Sequence, residues 1–389
     1  MQLDFHYYAT YCAAFIAGYT HDESLQIAYS DQFTDCCSRT LLQKLNGPLS
    51  AATTQLQLEL MDARTDPTGI QDITRIWASF HFLPGDLNAK VEKFCGRRYL
   101  HKYRLICNTN SALLKDTVEL ARDRSLQAVG IAMHVLADTW AHRYFAGTPT
   151  LVINNVNYYF YELVPEGDDF REVQIKFNHD PRSTDDPEKG VYTNSLYQSN
   201  ENSIMNLGHG RAGHFPDYGF ARYKYLPAWG GYKEIMKDNP SDYYHAFCQM
   251  TFALRCLRTG GEFETGVYDF DAVRPWEEDI RSLLEKRQID ASADWKAIAE
   301  KISGCKVEDF DMDKYQSEYA DADEGSRDDT FLGRFIIAAL AQKSMVTNRI
   351  FTSGNPIAGV SVDFNKSGFS GIRDFQKLAK EYGRRQTDV

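Results

Sequence analysis

Residues Ser125 to Phe145 constrain the fold of this chain more than any other segment. Ala128, Ile131, Val135, Leu136 and Trp140 recur at helical spacing, which predicts a helix with an apolar face in the core. The same helix carries His134, Asp138 and His142. Each step of four residues rotates about 40° past a full turn, so the three share one stripe. Ionisable groups on a core helix are costly to bury without partners, so other segments must come to meet them. The stripe is about 12 Å long at roughly 1.5 Å per residue. Two histidines that far apart cannot easily share one ion through bonds of about 2 Å. A carboxylate midway can bridge two ions about 3.5–4 Å apart. The spacing therefore fits a multinuclear site bridged by Asp138. The alternative is a polar interior in which His134, Asp138 and His142 bond to one another with no ion.

Four further segments hold metal-ligand residue types in apolar or glycine-rich surroundings. Asp4 and His6 begin the first apolar helix. Asp31 and Asp35 stand one turn apart on the second. His81 lies inside the apolar run Phe80-His81-Phe82, and His209, Arg211 and His214 lie in the loop from Gly208 to Asp217. Each has a plain reading: an N-cap for Asp4, solvated carboxylates, a satisfied core histidine, or a tight turn around Gly208, Gly210 and Gly213. Together with the central helix, these segments hold six of the ten histidines, and that concentration favours a ligand set.

Elsewhere the pattern is mainly helical. Helices are expected at 5–19, from Thr20 or Asp22 to about Cys37, at 111–122, from Ser241 to about Leu257, and at 275–288, 292–303, 326–349 and 371–384, while 73–82 is an apolar run that stops at Pro84-Gly85. Thr54–Leu60 alternates Gln and Leu and is expected as a strand. Thr150–Phe177 is rich in Val, Ile, Tyr and Phe and reads as a β-hairpin or small sheet. Residues 178–216 read as a long ordered loop, and Glu308–Asp329 as an acidic linker or surface helix. The expected fold is one mainly α domain over 1–389, with a β-rich insertion and loop at 149–200 and a C-terminal helical extension over 260–389.

The formal net charge of −11, with no basic stripe recognised, argues against a nucleic-acid substrate. The N-terminus shows no basic region followed by an apolar run, and no apolar stretch is long enough to span a bilayer. A cytoplasmic location is expected. The eight cysteines form no C-x-x-C pair and read as free thiols; adjacent Cys36-Cys37 is a remote candidate for a soft metal.

At His134-x-x-x-Asp138, His81-Phe82 and His6 the chain resembles the zinc-dependent phospholipase C and single-strand-specific nuclease superfamily. It also resembles a branch of uncharacterised bacterial relatives sharing the N-terminal D-x-H and the G-H-G loop. The likeness covers roughly residues 1 to 260. It implies a phospholipase C/nuclease-like helical bundle around one to three zinc ions. It further implies an Asp138 bridge and ligands from His6, His81, His134 and from Asp31 or Asp35. The superfamily spaces its last helix histidine five residues beyond the aspartate; here three residues separate Asp138 and His142. The superfamily also uses a free N-terminal amine, for which Asp4 is the expected stand-in unless that ligand is missing. Its late H-x-x-x-E pair has its nearest counterparts in His209 and His214.

The expected activity is hydrolysis of a small-molecule or lipid-like phosphoester by a metal-activated water. Asp31 or Asp35 would serve in the shell or as base, and Arg211 would clamp a phosphate oxygen. Two alternatives stay open: a metal-dependent amide or ester hydrolase, and a non-catalytic helical protein with a structural metal.

Overall fold

The structure is a computed structural model. It describes residues 1–63, 67–91, 95–156, 159–175, 177–178, 186, 192–193, 206–323 and 325–359. It is mainly helical, with a small antiparallel sheet.

The chain opens with a π-helical turn, Asp4–Ala9, which runs directly into α1, Thr10–Ile16. Gly18, at φ +98°, breaks the helix. Thr20 then starts α2, His21–Phe33, through a reciprocal capping box with Glu23; Thr20, not Asp22, is the cap. The expected strand at Thr54–Leu60 is replaced by a helix, Gln57–Ala63. Its start is fixed by Glu59, whose carboxylate accepts from the Leu56 N–H. Leu56 and Leu58 are exposed while Leu60 is buried, so the Gln/Leu alternation does not line a sheet face. Then come α3, Pro67–Phe80, α4, Arg97–Tyr103, and α5, Ala112–Leu120.

Ser125 caps the central helix α6, Leu126–Ala141, by accepting from the Ala128 N–H. Every residue from Gln127 to Ala141 is buried, as befits a helix surrounded by others. The closest approach is by α2, and Gly130 permits it. A Cβ there would stand 2.4 Å from the Ile27 carbonyl oxygen and 2.5 Å from the Ser30 Cβ. That contact sets Asp31 beside His134. The later helices α7, Asn239–Thr259, α8, Ser292–Ser303, and α9, Phe331–Thr352, pack around the same centre. Helix α7 begins at Asn239, with Pro240 in its first turn, ahead of the expected Ser241 cap.

The β-rich part forms a four-stranded antiparallel sheet, with β1 Phe160–Glu166, β2 Asp169–Gln174, β5 Arg222–Tyr225 and β6 Ile235–Asp238 in the order β2-β1-β5-β6. Two-residue strands β3, Phe177–Asn178, and β4, Tyr192–Thr193, pair in parallel apart from it. Half of the four-stranded sheet thus comes from beyond 149–200. It has its own aromatic core of Phe145, Phe160, Phe215, Tyr223 and Tyr225. Most of the expected loop at 178–216, and the expected helix at 371–384, lie outside the described residues. The acidic stretch at 308–329 carries a short helix, Gln316–Asp321. All eight cysteines are free thiols. Among the described residues no helix is long and apolar enough to cross a membrane.

Candidate metal centre

His134, Asp138 and His142 face one way from α6, and His6, His81, His209, Asp31, Asp35 and Asp217 gather along them. His6 Nδ1 lies 2.7 Å from Asp31 Oδ1 and His134 Nδ1 lies 3.1 Å from the same oxygen. Thr10 donates its hydroxyl to Asp31 Oδ2 at 2.6 Å. A carboxylate only accepts, so both Nδ1 atoms carry the proton, and both Nε2 atoms are turned away from Asp31. His81 is set the other way round. Its Nε2 donates to the Thr53 carbonyl at 3.0 Å, which leaves Nδ1 to face the interior. His142 donates from Nδ1 to the His81 carbonyl at 2.7 Å, and His209 donates from Nδ1 to the Gly213 carbonyl at 2.8 Å. Five rings are thus locked by carbonyls or a carboxylate, each with its second nitrogen pointing inward. This is how outer partners orient metal-ligating histidines.

The inward atoms form two groups. In the first, His81 Nδ1 is 3.2 Å from His134 Nε2 and 3.2 Å from Asp138 Oδ2. Asp35 Oδ1 is 3.6 Å from His81 Nδ1 and 3.8 Å from His134 Nε2. In the second, Asp217 Oδ1 is 3.0 Å from His142 Nε2 and 3.5 Å from His209 Nε2. Between them lies Asp138, whose Oδ1 is 3.3 Å from His6 Nε2 and 2.7 Å from the Met1 α-ammonium nitrogen. That nitrogen is also 3.4 Å from Asp217 Oδ1 and 3.5 Å from His142 Nε2.

Donor atoms on one tetrahedral ion with bonds of about 2.0–2.1 Å stand about 3.3 Å apart. The two groups match that spacing, and the His6–Asp31 contact at 2.7 Å does not. His6, Asp31 and His134 also lie close enough to form a third metal-capable group; within it the short His6–Asp31 contact and the Thr10 hydroxyl place Asp31 as a partner that orients both rings. His6 Nε2 is buried and makes no hydrogen bond, the state expected of a nitrogen kept for an ion. The residues present fit a metal centre.

The charges fit as well. Burial disfavours the Met1 ammonium, but Asp138, Asp217 and Asp35 outweigh it and hold its pKa up to about 11. Burial likewise works against a charged His134, yet Asp138 and Asp35 raise it to about 10. His209 is pushed down to about 4, by burial above all. Asp217 stays well below the usual carboxylate range: burial opposes its charge, but His209, the Met1 ammonium and a His142 hydrogen bond more than offset this.

Several sequence expectations need correction. Asp4 does not stand in for the amine. Its carboxylate accepts from the Phe5 and Ala291 N–H groups at 2.8 and 3.2 Å, away from both groups. Asp4 instead lines a separate cavity with Tyr243 and Trp295. His214 is half exposed, with Nδ1 3.6 Å from Asp217 Oδ2, at the rim of the second group. Arg211, expected as a phosphate clamp, donates from Nε to Asn206 Oδ1. Cys36 donates to the Gln32 carbonyl within its own helix turn, and neither Cys36 nor Cys37 joins a metal-capable group among the described residues.

The sequence did not single out Asp217 as a site residue, nor the Met1 nitrogen that stands 3.4 Å from its Oδ1. Asp217 ends the same Gly-rich loop, eight residues after His209, and the loop is brought in by Gly208. At φ +52°, a Cβ on Gly208 would stand 2.2 Å from the Phe82 ring. Phe82 itself stacks on His142 with centroids 4.6 Å apart.

The model of a family of unknown function (DUF6765) matches residues 1–350, and the chain belongs to that family. No curated protein and no solved structure matches it.

Proposed function

We propose that this DUF6765 member is a metal-dependent hydrolase of phosphoesters, with a multinuclear, zinc-type centre and a phospholipase C/nuclease-like bundle. The observation that carries this reading is the convergence of inward-facing histidine nitrogens on carboxylate oxygens at ligand-to-ligand spacing, on both sides of Asp138. His81, His134, Asp35 and Asp138 would hold one ion, and His142, His209 and Asp217 a second. His6, the Met1 amine and Asp138 Oδ1 supply donors for a third. Bound divalent ions would supply an acidified water and positive charge for the phosphoryl oxygens.

The chain's own residues do the rest. Asp31, Thr53, Gly213 and the His81 carbonyl fix the ring orientations. Asp35, whose side chain is 31% exposed against 1% for Asp138, is the carboxylate that a substrate and a reacting water reach first. It is thus placed to take a proton from that water. This opening also favours catalysis over a structural staple, because structural sites are closed. Phosphoesters are favoured over amides or esters because several cations crowded at one site suit an anionic substrate.

The test is elemental analysis of protein purified without chelator, repeated on Asp138→Asn, with chromogenic phosphodiester, phosphomonoester and carboxyl-ester substrates. Two or more metal equivalents in the wild type, loss in the variant and phosphoester turnover are expected. Less than about one equivalent in the wild type would sink the proposal.

A further inference from the structure

One surface carries charge that the metal centre does not use. Residues 90–104 hold six Lys/Arg against one Glu in a chain of net charge −11, so the absence of a basic stripe expected from the overall balance does not hold here. Among the described residues, Lys90, Arg97, Arg98, Lys102 and Arg104 have no carboxylate partner, the ion pairs passing from His81 to Lys115. Arg97 and Arg98 on α4 are exposed. The cations crowd one another: Lys102 is lowered by burial and by Arg98, and His101 by burial, Arg104 and Arg97.

Beside these cations lies an apolar rim. Tyr99 and Tyr103, one turn apart on α4, stack at 6.2 Å, and Tyr103 meets Trp229 edge-on at 6.2 Å. Trp229 sits in the turn Ala228–Gly230 between β5 and β6. Tyr232, 61% exposed, and the exposed, unpaired Lys233 follow it. The short helix Leu151–Asn154 packs on the same turn and leaves Leu151 and Val152 exposed. Tyr144, held at φ +82° two residues beyond His142, reaches Trp229 at 6.1 Å. The surface therefore begins where the central helix ends.

A single-stranded nucleic acid is met by cations and stacking rings alone. Exposed Leu and Val beside Tyr, Trp and unpaired Lys/Arg instead suit the boundary between headgroups and acyl chains. We propose that this face seats the protein on an anionic lipid bilayer. The α4 cations meet the headgroup phosphates, and Leu151, Val152 and Tyr232 enter the acyl boundary. The proposal stands whether or not the metal centre is hydrolytic.

The test is co-sedimentation of the full chain with vesicles of phosphatidylcholine alone or of equimolar phosphatidylcholine and phosphatidylglycerol. Binding to the anionic vesicles only, weakening with salt, is expected. Each Lys or Arg near such a surface contributes about fivefold, so Arg97→Ala with Arg98→Ala and Lys102→Ala should weaken binding by roughly 100-fold. Leu151→Ser, Val152→Ser and Tyr232→Asn together should abolish whatever binding survives high salt; Asn is chosen because Tyr232 sits at φ +59°, which Asn tolerates. Unchanged metal content and circular dichroism certify both variants as folded. Equal binding to both vesicle types, no binding, or indifference to the triple charge variant overturns the proposal. So does displacement from vesicles by an oligonucleotide that binds the same face more tightly.

Discussion

Adding one residue before Met1 converts its α-ammonium into an amide, and the structure gives that change a definite size. The ammonium is fully buried, 2.7 Å from Asp138 Oδ1 and 3.4 Å from Asp217 Oδ1. Removing one partner of a buried ion pair destabilises by about 3–5 kcal/mol, because the other charge is left unpaired. For 389 residues, with an unfolding entropy near 2.1 cal/mol/K per residue, that corresponds to a fall in Tm of about 4–6 °C. The added residue must also find room beside His142, whose Nε2 is 3.5 Å from the amine, so this figure is a lower bound. Metal affinity should fall by at least the 10–100-fold typical of losing an outer-shell partner. The assay is calorimetric melting and metal titration of the extended protein, with the same residue added after Val389 as control. An N-terminally extended protein with unchanged Tm and metal content would refute the amine's place in the centre.

Two further outcomes follow from the same geometry. Asp31→Asn keeps an acceptor but loses the charge shared by His6 and His134; it should weaken metal binding about 10–100-fold without removing a ligand, as read by titration with a competing chelator. Metal uptake at neutral pH should release two to three protons per protein. The Met1 ammonium (about 11) and His134 (about 10) are held charged without metal, and His6 is raised. Bases raised in this way bind metal more tightly as pH rises, so calorimetry in buffers of different ionisation heat should show that proton release, and affinity that falls with pH would contradict it.

The central helix was legible because a buried helix with an ionisable stripe has few ways to satisfy its charges. His6, His81 and His209 could be picked out for the same reason, as isolated polar residues in apolar or glycine-rich settings. What the sequence concealed was the division of labour. Asp31 and Asp35 stand one turn apart on α2 and look equivalent, yet Thr10 and two imidazoles enclose Asp31, while Asp35 keeps a side open to solvent. Carbonyls that fix tautomers, such as Thr53 and Gly213, leave no mark in residue type. Asp4, expected as a stand-in for the amine, is instead held by the Phe5 and Ala291 N–H groups, and a contact with a residue 287 positions away leaves no mark in the local sequence. The Thr54–Leu60 strand failed for a local reason, since Glu59 supplies a helix start that alternation cannot reveal.

Protons alone satisfy one end of the centre and not the other. At the first group, charged His134 and the Met1 ammonium can donate to Asp138, so a metal-free network is self-consistent there. At the second group, burial keeps His209 neutral near pH 7, and its single ring proton is given to the Gly213 carbonyl. Its Nε2 therefore turns a lone pair toward Asp217 Oδ1 at 3.5 Å, an acceptor facing an acceptor. Loop residues have freer choices than this, and Gly208 and Gly213, both at positive φ, hold the loop there. A cation between His209 Nε2 and Asp217 Oδ1 would relieve that opposition. The second group, built from a loop and the end of a helix, is thus the part of the proposed centre that a cation would change most.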